Sequence, residues 1–118
     1  MAHLLDVLRD RVLLCDGATG SRAQAMGLDV ERDYLGHENC TEILNVSRSD
    51  LVRGLHQDYL KAGSDLIQTN SFGGSPVTLA EFGLQDRARE INRRAAEIAR
   101  EAIDEFKGDG RDRFVRSE

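Results

Sequence analysis

A chain of 118 residues is long enough for one domain with a modest core. It carries 16 basic and 21 acidic residues, a net charge of −5, with the basic residues interleaved among acids rather than clustered. That balance argues against a nucleic-acid partner, which needs a basic face to displace counterions, and no apolar run reaches the ~18–20 residues that span a bilayer.

The opening residues Met-Ala-His-Leu-Leu-Asp lack the basic and apolar regions of a signal peptide. The expectation is a cytoplasmic protein with no membrane partner. Two cysteines, Cys15 and Cys40, make no disulfide framework and are expected as free thiols in a reducing compartment.

In chain order, residues 3–9 suit a short leading helix. Arg11 to Cys15 is a short apolar run that meets Asp16-Gly17, the pattern of a buried parallel strand. Residues 18–26 have weak helical character and stop at Gly27; residues 28–46 are polar and irregular. Ser47 followed by Asp50 has capping-box spacing and predicts a helix start. Leu51, Leu55, Tyr59 and Ala62 share one face of that helix, with Val52 and His56 beside them, and Gly63 ends it. Leu66 to Thr69 is the second strand.

Gly73-Gly74 turns the chain, and Ser75-Pro76 reads as an N-cap and first helical residue. That helix ends near Gly83. A longer helix runs from about Asp86 to Phe106, with an apolar stripe at Ala88, Ile91, Ala95, Ile98, Ala102 and Phe106. Glu90 and Arg94 have the spacing of an ion pair on its outer face. Lys107 to Arg113 is a polar tail, and Phe114-Val115 opens a third strand. Strand, helix, strand, helix is the order of an α/β protein whose site lies at the C-terminal ends of parallel strands.

Two strand tips carry candidate chemistry. Asp16-Gly17-Ala18-Thr19-Gly20-Ser21 offers a carboxylate suited to a substrate ammonium and glycines that let backbone approach a ligand. Two other readings stand beside it: an Asp that caps the next turn, and a phosphate-cradling loop, although the Gly17/Gly20 spacing matches neither nucleotide motif and no lysine follows. Thr69-Asn70-Ser71-Phe72 offers hydroxyl and amide groups, or simple loop capping. His37, Cys40, Cys15 and His56 have the number and type of zinc ligands. Their placement favours a packed His56 and a buried, thiol-bearing Cys15 instead.

Taken together, Asp16 to Ser21, Asn39-Cys40-Thr41-Glu42-Ile43-Leu44-Asn45, His56-x-x-Tyr59-x-x-Ala62-Gly63-Ser64-Asp65-x-Ile67-x-Thr69-Asn70-Ser71-Phe72 and Glu90-Ile91-Asn92 resemble the homocysteine S-methyltransferase family. The likeness is strongest to the N-terminal, homocysteine-binding barrel of the cobalamin-dependent methionine synthases. It covers about residues 11–106. It implies the first part of a TIM (β/α)8 barrel, about two βα units plus the start of a third strand, with a leading helix over 1–10, partial barrel over 11–115 and a tail over 116–118.

The resemblance further implies methyl transfer to the homocysteine thiol to make methionine. Zinc on three cysteine thiolates activates that thiol, and methylcobalamin serves as donor in one branch. It places homocysteine near Asp16, Gly17, Ala18, Thr69, Asn70 and Ser71. The zinc cysteines belong to later strands, in an Asn-Cys and a Gly-Gly-Cys-Cys segment that are absent here; Cys40 follows Asn39 but sits in the early connection and does not match the ligand position. No catalytic residue and no metal or cofactor ligand is therefore assigned within this chain.

A barrel of this type takes ~250 residues. The expectation is a chain inactive alone, a fragment or one piece of a split enzyme whose partner carries the remaining strands. A non-catalytic assembly subunit and a small α/β nucleotide-binding module are the alternatives.

Overall fold

The computed structural model describes residues 3–106 and 112–116. Its frame is a set of short parallel segments laid side by side in chain order. The run before Asp16 pairs with β1 (Leu66–Gln68), and β1 pairs with β2 (Phe114–Arg116) in the register Leu66 to Phe114, Ile67 to Val115 and Gln68 to Arg116.

The strand expected over Arg11–Cys15 is reduced to a single bridge between Cys15 and Leu66. The Leu66 amide donates to the Leu14 carbonyl and the Asp16 amide to the Leu66 carbonyl, each at 3.0 Å. The Asp65 amide also donates to the Leu14 carbonyl, at 2.7 Å, and beyond these three bonds side chains replace the ladder. Asp65 Oδ2 accepts from the Leu14 amide at 2.9 Å, and both carboxylate oxygens of Asp16 accept from the Gln68 amide at 3.2 Å. Two buried aspartates thus hold the segment at either end without regular pairing. The expected third strand is present as β2, and its neighbours 107–111, part of the anticipated polar tail, lie outside the described residues, as do residues 117–118.

The leading helix α1 (Leu4–Asp10) buries none of its residues. A short α2 (Gly20–Ala25) stops before Gly27, whose φ of +66° suits glycine. The long connection is more structured than its polarity suggested: a 3-10 turn over Thr41–Ile43 runs into α3 (Leu44–Ser47). The main helix of this half, α4, spans Ser49–Lys61.

The capping box expected at Ser47 does not form. Ser47 Oγ donates back to the carbonyls of Asp33 and Ile43, while Asp50 receives Arg48 Nε at 3.1 Å. The buried face of α4 is also rotated from the expected one. Val52, Leu55, His56 and Leu60 are buried, Leu51 and Tyr59 half-buried, and Ala62 exposed.

After β1, Ser75 caps α5 (Pro76–Leu79) as expected, accepting from the Thr78 amide at 3.2 Å, with Pro76 in the first turn. A 3-10 turn over Ala80–Phe82 ends at Gly83 in the left-handed region. A further turn over Gln85–Arg87 leads into α6 (Ala88–Glu105). Its expected stripe is buried at Ala88, Ile91, Ala95, Ile98 and Ala102, and half-buried at Phe106.

The Glu90–Arg94 pair does not form. Glu90 pairs with Arg87 at 2.7 Å, and Arg94 reaches two turns along to Glu101 at 2.9 Å, where Arg53 of α4 also arrives at 3.3 Å. Bridging two helices gives Glu101 two cationic partners, which outcompetes the simple one-turn pair.

Helices α4 and α6 pack on each other and on the sheet. Leu60, Ile67, Ala99 and Ala102 form the cluster at that junction, with Tyr59, Ile103, Phe106 and Val115 around it. A larger cluster, including Ile43, Leu44, Val52, Leu79, Ile91 and Ile98, binds the connecting segments to the other end of α4 and α6. The result is a layer of helices behind a row of parallel strand tips.

Candidate functional site

The C-terminal ends of the first segment and of β1 open into one cavity of about 420 Å³. Its walls come from three pieces of chain that are distant in sequence. Gly17, Ala18, Thr19 and Gly20 form one wall, Asn39, Thr41 and Glu42 the second, and Gln68, Asn70, Phe72 and Gly73 the third. Thr78, Glu81 and Phe82 close the far side.

Of the six residues singled out from the sequence, Gly17, Ala18 and Asn70 line this cavity. Asp16, Thr69 and Ser71 sit at the same strand tips but outside its lining, and their side chains hold the frame. The Asp16 carboxylate is committed to the Gln68 amide and lies 3.5 Å from Cys15 Sγ. The Thr69 and Ser71 hydroxyls bond each other at 2.6 Å.

Asn70 shows how the third wall is fixed. Its Nδ2 donates to the Thr41 carbonyl at 3.0 Å and to Asn45 Oδ1 at 2.9 Å. Asn45 Nδ2 in turn donates to the Asn70 carbonyl at 2.9 Å and to the Ile91 carbonyl at 3.2 Å. Both amides are buried. This network ties the Asn39–Asn45 segment to the Thr69–Phe72 segment and orients Asn70. With both Nδ2 hydrogens spent, its Oδ1 makes no hydrogen bond among the described residues.

Glu42 repeats the theme: its Oε2 accepts from the Gly73 amide at 3.1 Å while the side chain lines the cavity. Glu42 and Glu81 are the charged residues of the lining, and no lysine, arginine or histidine joins them. The lining offers two carboxylates, the side-chain amides of Asn39, Gln68 and Asn70, and the hydroxyls of Thr19, Thr41 and Thr78, with a negative balance of charge. It suits a cationic or amino-bearing ligand and opposes a phosphate. In the sequence Glu42 entered only within the family-like Asn39–Asn45 segment, and Glu81 only as part of a helix. Only the fold shows that both face the cavity.

The residues weighed as zinc ligands are dispersed. No group of three His, Cys, Asp or Glu side chains gathers among the described residues. Cys15, expected to be buried, is exposed and accepts from Gln68 Nε2 at 3.0 Å, because the segment carrying it is held at one edge only. Cys40 is buried in the larger cluster, and burial pushes its thiol pKa up, away from the thiolate a metal needs. His56 is buried on α4. These residues do not fit the zinc site that the family resemblance implies. No helix among the described residues is long and apolar enough to cross a membrane.

Comparison with known proteins finds relatives of this chain in sequence and in fold. The chain is 40% identical over 112 residues to methionine synthase of Mycobacterium tuberculosis and 38% identical over 112 residues to that of Mycobacterium leprae. In both cases 95% of this chain is covered, and it spans only 9% of the relative's length. The fold matches the metallated form of the homocysteine methyltransferase MmuM from Escherichia coli with a TM-score of 0.77 at 23% identity, over 97% of this chain and 40% of that one. The oxidised form of the same enzyme matches with a TM-score of 0.68 at 26% identity, over 86% of this chain and 34% of that one. Residues 13–116 match the family model of homocysteine S-methyltransferase, and the chain belongs to that family.

Proposed function

We propose that this chain supplies the homocysteine-binding wall of a methionine synthase-like (β/α)8 barrel. Its strand-tip cavity takes the amino-acid end of homocysteine. The observation that carries this reading is the charge of the lining: Glu42 and Glu81, with the unspent Oδ1 of Asn70, meet an ammonium group, and no cationic side chain of the lining repels it. The Gly17–Ala18 backbone, free of bulky side chains, lets the ligand lie close to the wall. Asp16, Thr69 and Ser71 shape the same pocket from behind by holding the strand tips in place.

The methyl-transfer step lies outside what these residues do. A thiolate at neutral pH requires a metal or a base next to the homocysteine sulfur, and the cysteines here do not form such a site. The role of this part of the barrel is to bind and orient; the zinc cysteines and any methylcobalamin contact belong to the remaining strands. Those strands, in the same polypeptide or in a complementing chain, also cover the apolar residues that stand exposed on the first segment. The alternative of a nucleotide-binding module is opposed by the two carboxylates of the cavity.

Calorimetric titration of the chain with L-homocysteine, and with ATP as the competing ligand class, tests this assignment. Homocysteine is expected to bind and ATP to give no heat. The same preparation is expected to show no zinc-dependent methyl transfer until the later strands are supplied. ATP binding without homocysteine binding would overturn the assignment.

A further inference from the structure

A pocket wall made of glycine and alanine has no side chain long enough to anchor itself. Gly17 and Ala18 line the cavity, yet among the described residues neither joins a backbone–backbone hydrogen bond. Their support comes from behind. Tyr59 of α4 donates its hydroxyl to the Ala18 carbonyl at 2.9 Å, across 41 residues of sequence. Its ring lies so close to Gly17 that a Cβ there would stand 2.8 Å from Oη and 3.2 Å from Cε1.

The ring is itself fixed on two sides. It packs against the cluster containing Leu60 and Ile67. The Arg22 guanidinium sits 5.2 Å from its centroid and is held by Asp58 at 3.0 Å. Arg22 belongs to α2, just past the glycine wall, so one tyrosine ties both ends of the Gly17–Arg22 segment to α4.

We propose that Tyr59 is the positioning residue of this wall, its hydroxyl and ring setting where the Gly17–Ala18 backbone stands against the bound amino acid. Tyr59 does not line the cavity and acts through the backbone it holds. The identity of the ligand rests on the homocysteine reading above; the positioning does not.

The test uses Tyr59→Phe, which keeps the ring and removes the bond. Loss of one net hydrogen bond is expected to speed exchange of the Ala23 amide, which donates to the Thr19 carbonyl beside the wall at 3.0 Å, about fivefold, with α6 retaining wild-type protection. A merely structural residue would loosen both together. Homocysteine affinity is expected to fall by a similar factor. Unchanged exchange at Ala23, or loosening spread equally through α6, overturns the proposal. So does wild-type homocysteine binding that Tyr59→Phe leaves intact. If the wild type binds no homocysteine while the variant still loosens the Ala23 amide without α6, the positioning role stands and the ligand assignment falls.

Discussion

His56 lies on α4 with 1% of its surface exposed, and its Nε2 has no hydrogen-bond partner among the described residues. Burial disfavours the imidazolium and holds the pKa down at about 4, against an ordinary 6.5. The folded state therefore binds this proton less readily than the unfolded chain. The stability at stake is fully present above pH 6.5 and is lost as the pH falls from 6.5 towards 4, by at most about 3 kcal/mol. Denaturant unfolding followed from pH 7 to 4 is expected to show this slope. His56→Phe is expected to flatten it and to match or exceed wild-type stability at pH 7, because the unpaired nitrogen is gone. A wild type whose stability does not change across that window would exclude a buried neutral imidazole. The sequence placed His56 correctly as a packed helix residue, since its neighbours on the helix are apolar. It could not separate the two uses of an aspartate: Asp16 at a strand tip suits an ammonium ligand, but its oxygens are taken by a backbone amide 52 residues away.

At the scale of elements, local signals were reliable where the chain itself supplies the partner. Ser75-Pro76, Gly27, Gly63 and the α6 stripe all act within a few residues, and the structure has them as read. Signals that depend on competing partners misled. Ser47 gave up its cap to carbonyls of the long connection, and Arg94 passed over Glu90 for Glu101. Gly73-Gly74 illustrates the same limit. The pair reads as a flexible turn, but Gly74 is set by close approach: a Cβ would stand 2.4 Å from Asn92 Oδ1. Asn92 cannot swing aside freely, since its Nδ2 bonds the Gly74 carbonyl at 2.7 Å and the Ala88 carbonyl at 2.8 Å. Gly74→Ala is therefore expected to destabilise the chain by about 1–3 kcal/mol through overpacking. Adding Asn92→Ala should cost less than the sum of the two single changes. Strict additivity in thermal or denaturant unfolding would mean that the two residues do not collide.

For the molecule as a whole, the informative surface is the one left uncovered. Alternation along the first segment puts Val12 and Leu14 on the same side as Ile67. Ile67 is completely buried by the helices, whereas Val12 is 84% and Leu14 59% exposed. Two adjacent apolar side chains on a parallel segment are normally covered, because parallel sheets carry layers on their faces. MmuM extends well beyond the 40% that this chain matches, which is the length the proposed barrel needs for its remaining layers. This gives a prediction that separates folding from assembly. Val12→Lys and Leu14→Lys alter groups already in water, so each should change the stability of the chain alone by no more than about 0.5 kcal/mol. In the assembled barrel the same lysines would have to be buried unpaired, at a cost of several kcal/mol. Mixed with a chain carrying the later strands of a family member, wild type is expected to co-purify and to gain zinc-dependent homocysteine methylation, and both variants to fail. Variants that assemble as well as wild type would place the covering layers elsewhere; variants that unfold the chain alone would show that Val12 and Leu14 already belong to its core.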